Sequence, residues 1–170
     1  MIFSDFDRRI AGFRSLKKET LVRVYDNSEK LRIPSEVLLF KQKSFLNYIY
    51  IVLGGKLMVA RDFYFEKLDK MKTLEIDQLE TGDKIGDFCF VFKETLPYSV
   101  VSVYPTRLLK IHLDEVKNRL SDDQLMELID SVKLYPKDDD IIKIFEEKEK
   151  WKKYTSDMST DVHNAKKLAK

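Results

Sequence analysis

The chain has 170 residues, of which 44% are hydrophobic and 35% are charged, and its net charge is +2. This composition excludes a disordered chain and indicates one globular domain, long enough to bury a core, with room for a helical appendage. The 31 basic and 29 acidic residues are mixed along the chain. Nucleic-acid binders concentrate basic residues on one face, so nucleic acid is not an expected partner.

The sequence also indicates the compartment. Cys89 is the only cysteine, so no intrachain disulfide can form, which is typical of a reducing compartment. No apolar run approaches the ~20 residues of a membrane span, and charged residues stand near the N-terminus where a signal peptide needs an apolar core. We therefore expect a cytoplasmic protein without membrane insertion.

Residues 1–28 are predicted to form N-terminal helices. Phe6, Ile10 and Phe13 are spaced for one helical face, and Ser15 can cap a second helix. Turn chemistry in residues 26–28 ends this segment.

Residues 29–113 show many short β-rich runs separated by turns. This pattern predicts an antiparallel β roll, or jelly roll, interrupted by one short helix near residues 88–92. The predicted strands are residues 30–33, 37–41, 47–53, 56–61, 73–79, 98–104 and 107–113.

The helical period returns after the roll. Residues 114–135 are predicted to form post-roll helices, with a capping box from Ser121 to Gln124. Pro136 breaks this segment, and three consecutive aspartates then favour a new helix start. Residues 136–170 are therefore predicted as a C-terminal helical extension. The fold class is mainly β with flanking helices.

Several motifs together resemble one family. YIVLGGKLMV (residues 50–59) resembles the strand–turn–strand signature of cyclic-nucleotide-binding domains, and GDKIGD (residues 82–87) is similar to the opening of their phosphate-binding cassette. RLLKI and LDEV (residues 107–111 and 113–116) resemble the last strand entering the hinge helix. The resemblance covers roughly residues 5 to 132 and implies the roll of that family.

The resemblance also implies a ligand pocket, position by position. Asp87 stands where family members place a glutamate that binds the ribose hydroxyl, and Gly86 would let the backbone approach the ligand. The position after Pro97, where the family has the arginine that pairs with the cyclic phosphate, is Tyr98. The candidate pocket, interpreted as vestigial, is Gly86, Asp87, Phe88, Cys89, Pro97, Tyr98 and Ser99.

The missing arginine decides the expected function. No arginine occurs from residue 87 to 106, and removing one partner of a buried charge pair costs ~2–5 kcal/mol, or roughly thirtyfold to several thousandfold in affinity. Lys84 or Lys93 could swing in, but both are expected to be solvated surface lysines. The favoured interpretation is that Gly82, Gly86 and Asp87 remain as turn residues. No cofactor is then expected, and binding of cAMP or cGMP is the alternative.

Catalytic and metal-binding chemistry is not expected. His112 and His163 lie on different predicted elements, and one histidine in the roll cannot make a three-histidine site. Cys89 lies among phenylalanines, as a buried structural thiol does. The chain is therefore not predicted to be an enzyme.

Two aromatic groups are candidate partner-binding residues. Trp151 and Tyr154 lie on an apolar stripe of the C-terminal helix, which either packs on the roll or docks onto another protein. Phe63, Tyr64 and Phe65 would be exposed at a hairpin tip, although core insertion of one or two of them is an equal alternative.

These features favour a structural or adaptor subunit in a larger protein assembly. Only about 38 residues follow the second post-roll helix, which is short for an attached output domain. The resemblance suggests cilia or flagella, including the axoneme, or another cytoskeletal assembly as the setting. The alternative is a stand-alone cAMP or cGMP sensor with an altered pocket, and a weaker third is a roll that binds another small anion or a lipid-like ligand.

Overall fold

The computed structural model describes residues 17–66 and 69–168, with side chains throughout except at residues 157 and 159–168. The predicted helix with Phe6, Ile10 and Phe13, and the proposed cap at Ser15, lie outside the described residues. So does the side chain of His163.

Eight antiparallel strands form two four-stranded sheets in the described part of the chain. The strand order is β1-β8-β3-β6 in one sheet and β2-β7-β4-β5 in the other, which confirms the predicted jelly roll. The strands are β1 (Glu29–Ile33), β2 (Leu38–Phe40), β3 (Tyr48–Gly54), β4 (Leu57–Phe65), β5 (Lys70–Leu79), β6 (Lys84–Ile85), β7 (Ser99–Ser102) and β8 (Thr106–His112).

Five helices are described along with the strands. They are α1 (Lys18–Asp26), α2 (Asp87–Phe92), α3 (Leu113–Arg119), α4 (Asp122–Asp130) and α5 (Asp138–Leu168). The predicted capping box begins α4, where the backbone N–H of Ser121 donates to Gln124 Oε1 at 3.0 Å. The short cassette helix and the long C-terminal helix are likewise confirmed.

In the core, the β1-β8-β3-β6 sheet packs against the helices. Ile49 lies opposite Ile111, and Ile51 lies opposite Leu109, in the β3–β8 register. All four are at most 1% exposed, because side chains of alternate strand residues share one face. Leu21 and Val24 of α1 and Leu128 of α4 belong to the same cluster. Helix α1 is therefore part of the roll's own core.

The chain divides into two compact units. The first comprises Met1–Asp62 and Met71–Leu134, and the second comprises Phe63–Lys70 and Tyr135–Lys170. Within the second unit, the rings of Phe65 and Phe145 lie 5.4 Å apart at 62°. Strand β4 thus continues past the predicted end at Arg61, and its last residues belong to the unit that contains α5.

We predict that Ser102→Ala destabilises the roll by about 1–3 kcal/mol, because it leaves a backbone carbonyl and a backbone N–H without their hydrogen-bond partner. Ser102 is 1% exposed. Its Oγ donates to the Pro34 carbonyl at 2.6 Å and accepts from Val37 N–H at 2.9 Å. The measurement is urea unfolding. Ser35→Ala, at an exposed position of the same turn, is the control, and equal midpoints for the two variants would contradict the prediction.

Candidate functional site

The glycine turn that opens the cassette is shaped by its own chain. Gly86 has a φ of 93° and immediately precedes α2. A Cβ at Gly86 would lie 2.3 Å from the carbonyl oxygen of Tyr48 on β3. Because real Cβ atoms do not approach so closely, glycine is required for β3 and the cassette to meet. This requirement agrees with the interpretation of Gly86 as a turn residue.

Asp87 is held by groups of the same chain. Its side chain is 5% exposed and the Lys84 side chain is 4% exposed, and Lys84 Nζ lies 3.6 Å from Asp87 Oδ2. The other carboxylate oxygen, Oδ1, accepts the backbone N–H of Phe88 at 3.0 Å. Lys84 Nζ also donates to the hydroxyl of Ser131, which directly follows α4. Both oxygens of Asp87 are therefore engaged by the protein itself.

Burial acts on both members of this pair. It lowers the pKa of Lys84 and raises the pKa of Asp87, and in each case the attraction of the partner charge opposes the effect. Removal from water disfavours the charged form of any group. The two groups remain compatible with burial because each faces an opposite charge and a hydrogen-bonding group.

The prediction that Lys84 is a solvated surface lysine is wrong. Its side chain is buried because the ammonium forms an ion pair with Asp87, three residues along the chain, and donates a hydrogen bond to the distant Ser131. Lys93 is exposed, as predicted. It donates to the Phe90 carbonyl at 2.6 Å and lies 4.7 Å from the centre of the Phe90 ring. Of the two candidate lysines, only Lys84 therefore has a buried side chain.

Tyr98 occupies the interior at the position where the resemblance implies an arginine. Its side chain is buried, at 4% exposure. Burial raises its pKa most, the charges of Asp87 and Cys89 raise it further, and the charge of Arg61 lowers it. A phenol at this position is thus neutral over the physiological range. Tyr98 and Asp87 belong to one electrostatic cluster.

Arg61, whose charge acts on Tyr98, is an interior residue that was not among the predicted site residues. Arg61 is 6% exposed on β4, in phase with the buried Leu57, Val59 and Phe63. A period of two along a strand places these residues on one face. The alternation along β4 therefore indicates an interior arginine, although this position lies outside residues 87–106, where the resemblance implies one.

The remaining candidate pocket residues make separate contacts within the protein. Cys89 is fully buried, and burial raises the pKa of its thiol, as expected for a structural cysteine. The Phe88 ring lies 4.8 Å from that of Phe92. Ser99 Oγ accepts the backbone N–H of Gln42 at 2.8 Å, and Pro97 is half-buried. These contacts serve packing and strand pairing.

The candidate partner-binding residues fall into two groups. Phe63 and Phe65 are 2% and 4% exposed, because alternation along β4 turns them inward. The alternative of core insertion is therefore confirmed for these two residues, and the exposed tip is wrong for them. Tyr64, between them, is 51% exposed. Trp151 and Tyr154 are 66% and 55% exposed, and their rings stack at 5.7 Å.

Comparisons with solved structures identify the fold. The regulatory domain of Toxoplasma gondii PKA with cAMP has a TM-score of 0.61 and 18% identity, over 72% of this chain and 44% of that chain. The N-terminal domain of a Streptomyces coelicolor transcriptional regulator has a TM-score of 0.61 and 15% identity, over 74% and 89%. A mutant regulatory subunit of a cAMP-independent protein kinase A from Trypanosoma brucei, bound to cAMP, has a TM-score of 0.56 and 14% identity, over 77% and 50%.

The chain has the fold of the cyclic-nucleotide-binding domains, an antiparallel jelly roll with flanking helices. It spans less than half of the Toxoplasma chain that it matches. No protein-family model matches the sequence, and comparison with curated proteins finds no match. Among the described residues, no helix combines the length and the apolar character that crossing a membrane requires.

We predict that Lys84→Met lowers the free energy of unfolding by about 3–5 kcal/mol, because it leaves the Asp87 carboxylate buried without its cation. The double variant Lys84→Met/Asp87→Leu should recover most of this loss, since it removes both charges. Urea unfolding provides the measurement. Lys133→Met, which removes an exposed lysine from its pair with Asp77, serves as a control and should have little effect. A double variant as unstable as Lys84→Met would contradict this account.

We also predict a pH dependence that comes from Asp87. Its folded pKa is raised by burial, so above the unfolded value of about 4 the folded state holds a proton that the unfolded state has released. The stability contributed by this proton is present below pH ~4 and is lost as pH rises through the folded pKa. The stability of the wild type minus that of Lys84→Met/Asp87→Leu should therefore fall as pH rises from 4 through the folded pKa of Asp87. A constant difference would be inconsistent with the raised pKa.

Proposed function

We propose that this protein is a non-catalytic module of cyclic-nucleotide-binding fold that acts as a structural or adaptor subunit of a cytoplasmic protein assembly. One observation carries the proposal: the carboxylate expected to receive the ribose is already bound by Lys84 within the same cassette. In this proposal the roll serves as a scaffold, and cyclic nucleotides do not bind it in the usual way.

Energetics support the proposal. A nucleotide entering this region would have to separate Asp87 from Lys84 and Phe88 N–H, and breaking a buried ion pair costs about 3–5 kcal/mol. The phosphate would then meet Tyr98, whose neutral hydroxyl contributes about 1 kcal/mol per hydrogen bond. Both effects weaken binding.

A protein-binding role is supported by the surface of α5. Trp151 and Tyr154 are the aromatic types that most often anchor protein interfaces, and here more than half of each side chain is exposed. The solved structures of similar fold include regulatory domains and subunits, which is consistent with a module that acts through other proteins. We therefore assign Trp151 and Tyr154 to a partner-binding surface, and the exposed Tyr64 on β4 is a separate candidate contact residue.

The second candidate is a cAMP or cGMP sensor with an altered pocket. The burial of Arg61 favours it, because its charge acts on Tyr98 from another strand and brings a guanidinium into the interior. Guanidinium groups bind phosphates through two parallel hydrogen bonds. In this candidate, Arg61 would replace the arginine that is missing after Pro97.

Calorimetry with cAMP and with cGMP separates the two candidates. We predict no saturable heat up to about 100 µM nucleotide. The arginine that would pair with the phosphate is missing after Pro97, and the Asp87 carboxylate is already paired with Lys84. The matched variants are Asp87→Ala, in the cassette, and Arg61→Met, on β4. Micromolar binding lost in Asp87→Ala would overturn the proposal, and its additional loss in Arg61→Met would establish the sensor.

A further inference from the structure

Two arginines stand directly opposite each other on neighbouring strands. Arg32 on β1 and Arg107 on β8 are cross-strand partners, and both side chains are exposed. Side chains of directly opposite residues lie on the same face of a sheet, with Cβ atoms about 4.5–5.5 Å apart, and like charges at such positions are destabilising. An anion that contacts both guanidinium groups removes this repulsion.

Gly54 makes room for the guanidinium of Arg107. It is the partner of Arg107 on β3, across from Arg32. A Cβ at Gly54 would lie 3.0 Å from Nη2 and 3.5 Å from Nε of Arg107. The guanidinium therefore lies beside the glycine, and a larger residue at this position would displace it.

A third cation lies on the same face. Lys30 precedes Arg32 by two residues on β1, and residues two apart on a strand share a face. Its Nζ lies 4.1 Å from the centre of the Tyr25 ring. Glu29, the acidic residue of β1, lies on the opposite face, where it pairs with Lys110. The face that carries Arg32 and Arg107 is thus basic along β1.

The charge and size of this patch indicate what it binds. Guanidinium groups bind phosphate oxygens through parallel hydrogen bonds, and a phosphoserine, with a charge of about −1.5 to −2, matches two arginines better than one carboxylate does. Segments that bind anionic membranes carry about 4–8 basic residues, and DNA-binding proteins make about 6–10 phosphate contacts. Arg32, Arg107 and Lys30 are too few for either surface but suffice for one phosphoryl group.

The position of β1 favours a peptide as the carrier of that group. Strand β1 is the first in the order β1-β8-β3-β6 and therefore forms an edge of its sheet. An edge strand presents backbone N–H and C=O groups, to which an extended peptide can add as a further strand. A peptide along β1 would bring its side chains to the face of Arg32.

We propose that Arg32 and Arg107 bind the phosphoryl group of a phosphorylated segment of a partner protein, with Lys30 as an additional cation. This inference rests on the proposed function in one respect, namely that the module binds other proteins. It involves none of the candidate pocket residues. Binding of nucleotide in the cassette depends on Asp87 and binding at this site depends on Arg32, so the two proposals can fail separately.

Titration of the ¹⁵N-labelled full chain, followed by NMR, tests the site. The probe is a degenerate nonapeptide library with a central phosphoserine, and the same library with serine and inorganic phosphate are the reference probes. We expect saturable shifts of the arginine Nε–H resonances, with a Kd at least tenfold lower for the phosphoserine library than for either reference. Arg32→Gln and Arg107→Gln should each raise this Kd at least tenfold, and Gly54→Ala should raise it because a Cβ displaces the guanidinium. Lys41→Gln, which removes an exposed cation that follows β2 in the other sheet, is the charge-matched control and leaves the Kd unchanged.

Several results would overturn the inference. They are no saturation up to about 10 mM phosphoserine library, equal affinity for inorganic phosphate, which would indicate a site for free phosphate, and binding to phosphatidylserine vesicles without preference for the phosphopeptide, which would indicate a membrane site. Urea unfolding separates binding from folding. Arg32→Gln should unfold at the same or a higher urea concentration than the wild type, because it removes a like-charge pair. A lower midpoint would show that Arg32 serves the fold and would also overturn the inference.

Discussion

The buried pair of Lys84 and Asp87 is the constraint on which the cassette depends. An ion removed from water loses several kcal/mol of solvation, and only a well-placed opposite charge with further hydrogen bonds compensates that loss. Lys84 receives its second contact from Ser131, 47 residues away, and Asp87 receives its own from Phe88 N–H at the start of α2. The glycine turn, α2 and the end of α4 must therefore all be in place together. The pair links local turn geometry to the packing of the post-roll helices.

This internal pairing changes what the interior of the roll can bind. In a ligand-binding cassette, the protein's charges are complementary to the ligand and gain their partners when it arrives. In this chain Asp87 already has a cation, and the charge of Asp87 in turn acts on Tyr98. Arg61 adds a second interior cation from β4, within the electrostatic range of the same tyrosine. An anion that enters this interior would thus compete with existing contacts.

The sequence predicted the architecture well because strand alternation, turn glycines and helix caps are local signals. Seven strands, the cassette helix and the Ser121 capping box all follow from such patterns. Strand β6 was not predicted, because two residues are too few to show a period. The burial of Lys84 could not be predicted, since it depends on Ser131, whose approach is a tertiary event. Arg61 was predictable in principle, because it keeps the phase of the apolar residues on β4.

The two units of the chain differ in which groups are paired and which are exposed to water. In the unit that contains the cassette, the buried charges of Lys84 and Asp87 are paired within the chain. In the unit that contains α5, large aromatic side chains remain in water, although burying apolar surface is the main favourable term in association. The exposed aromatic side chains of α5 are therefore available for contacts, whereas Lys84 and Asp87 of the cassette already satisfy one another.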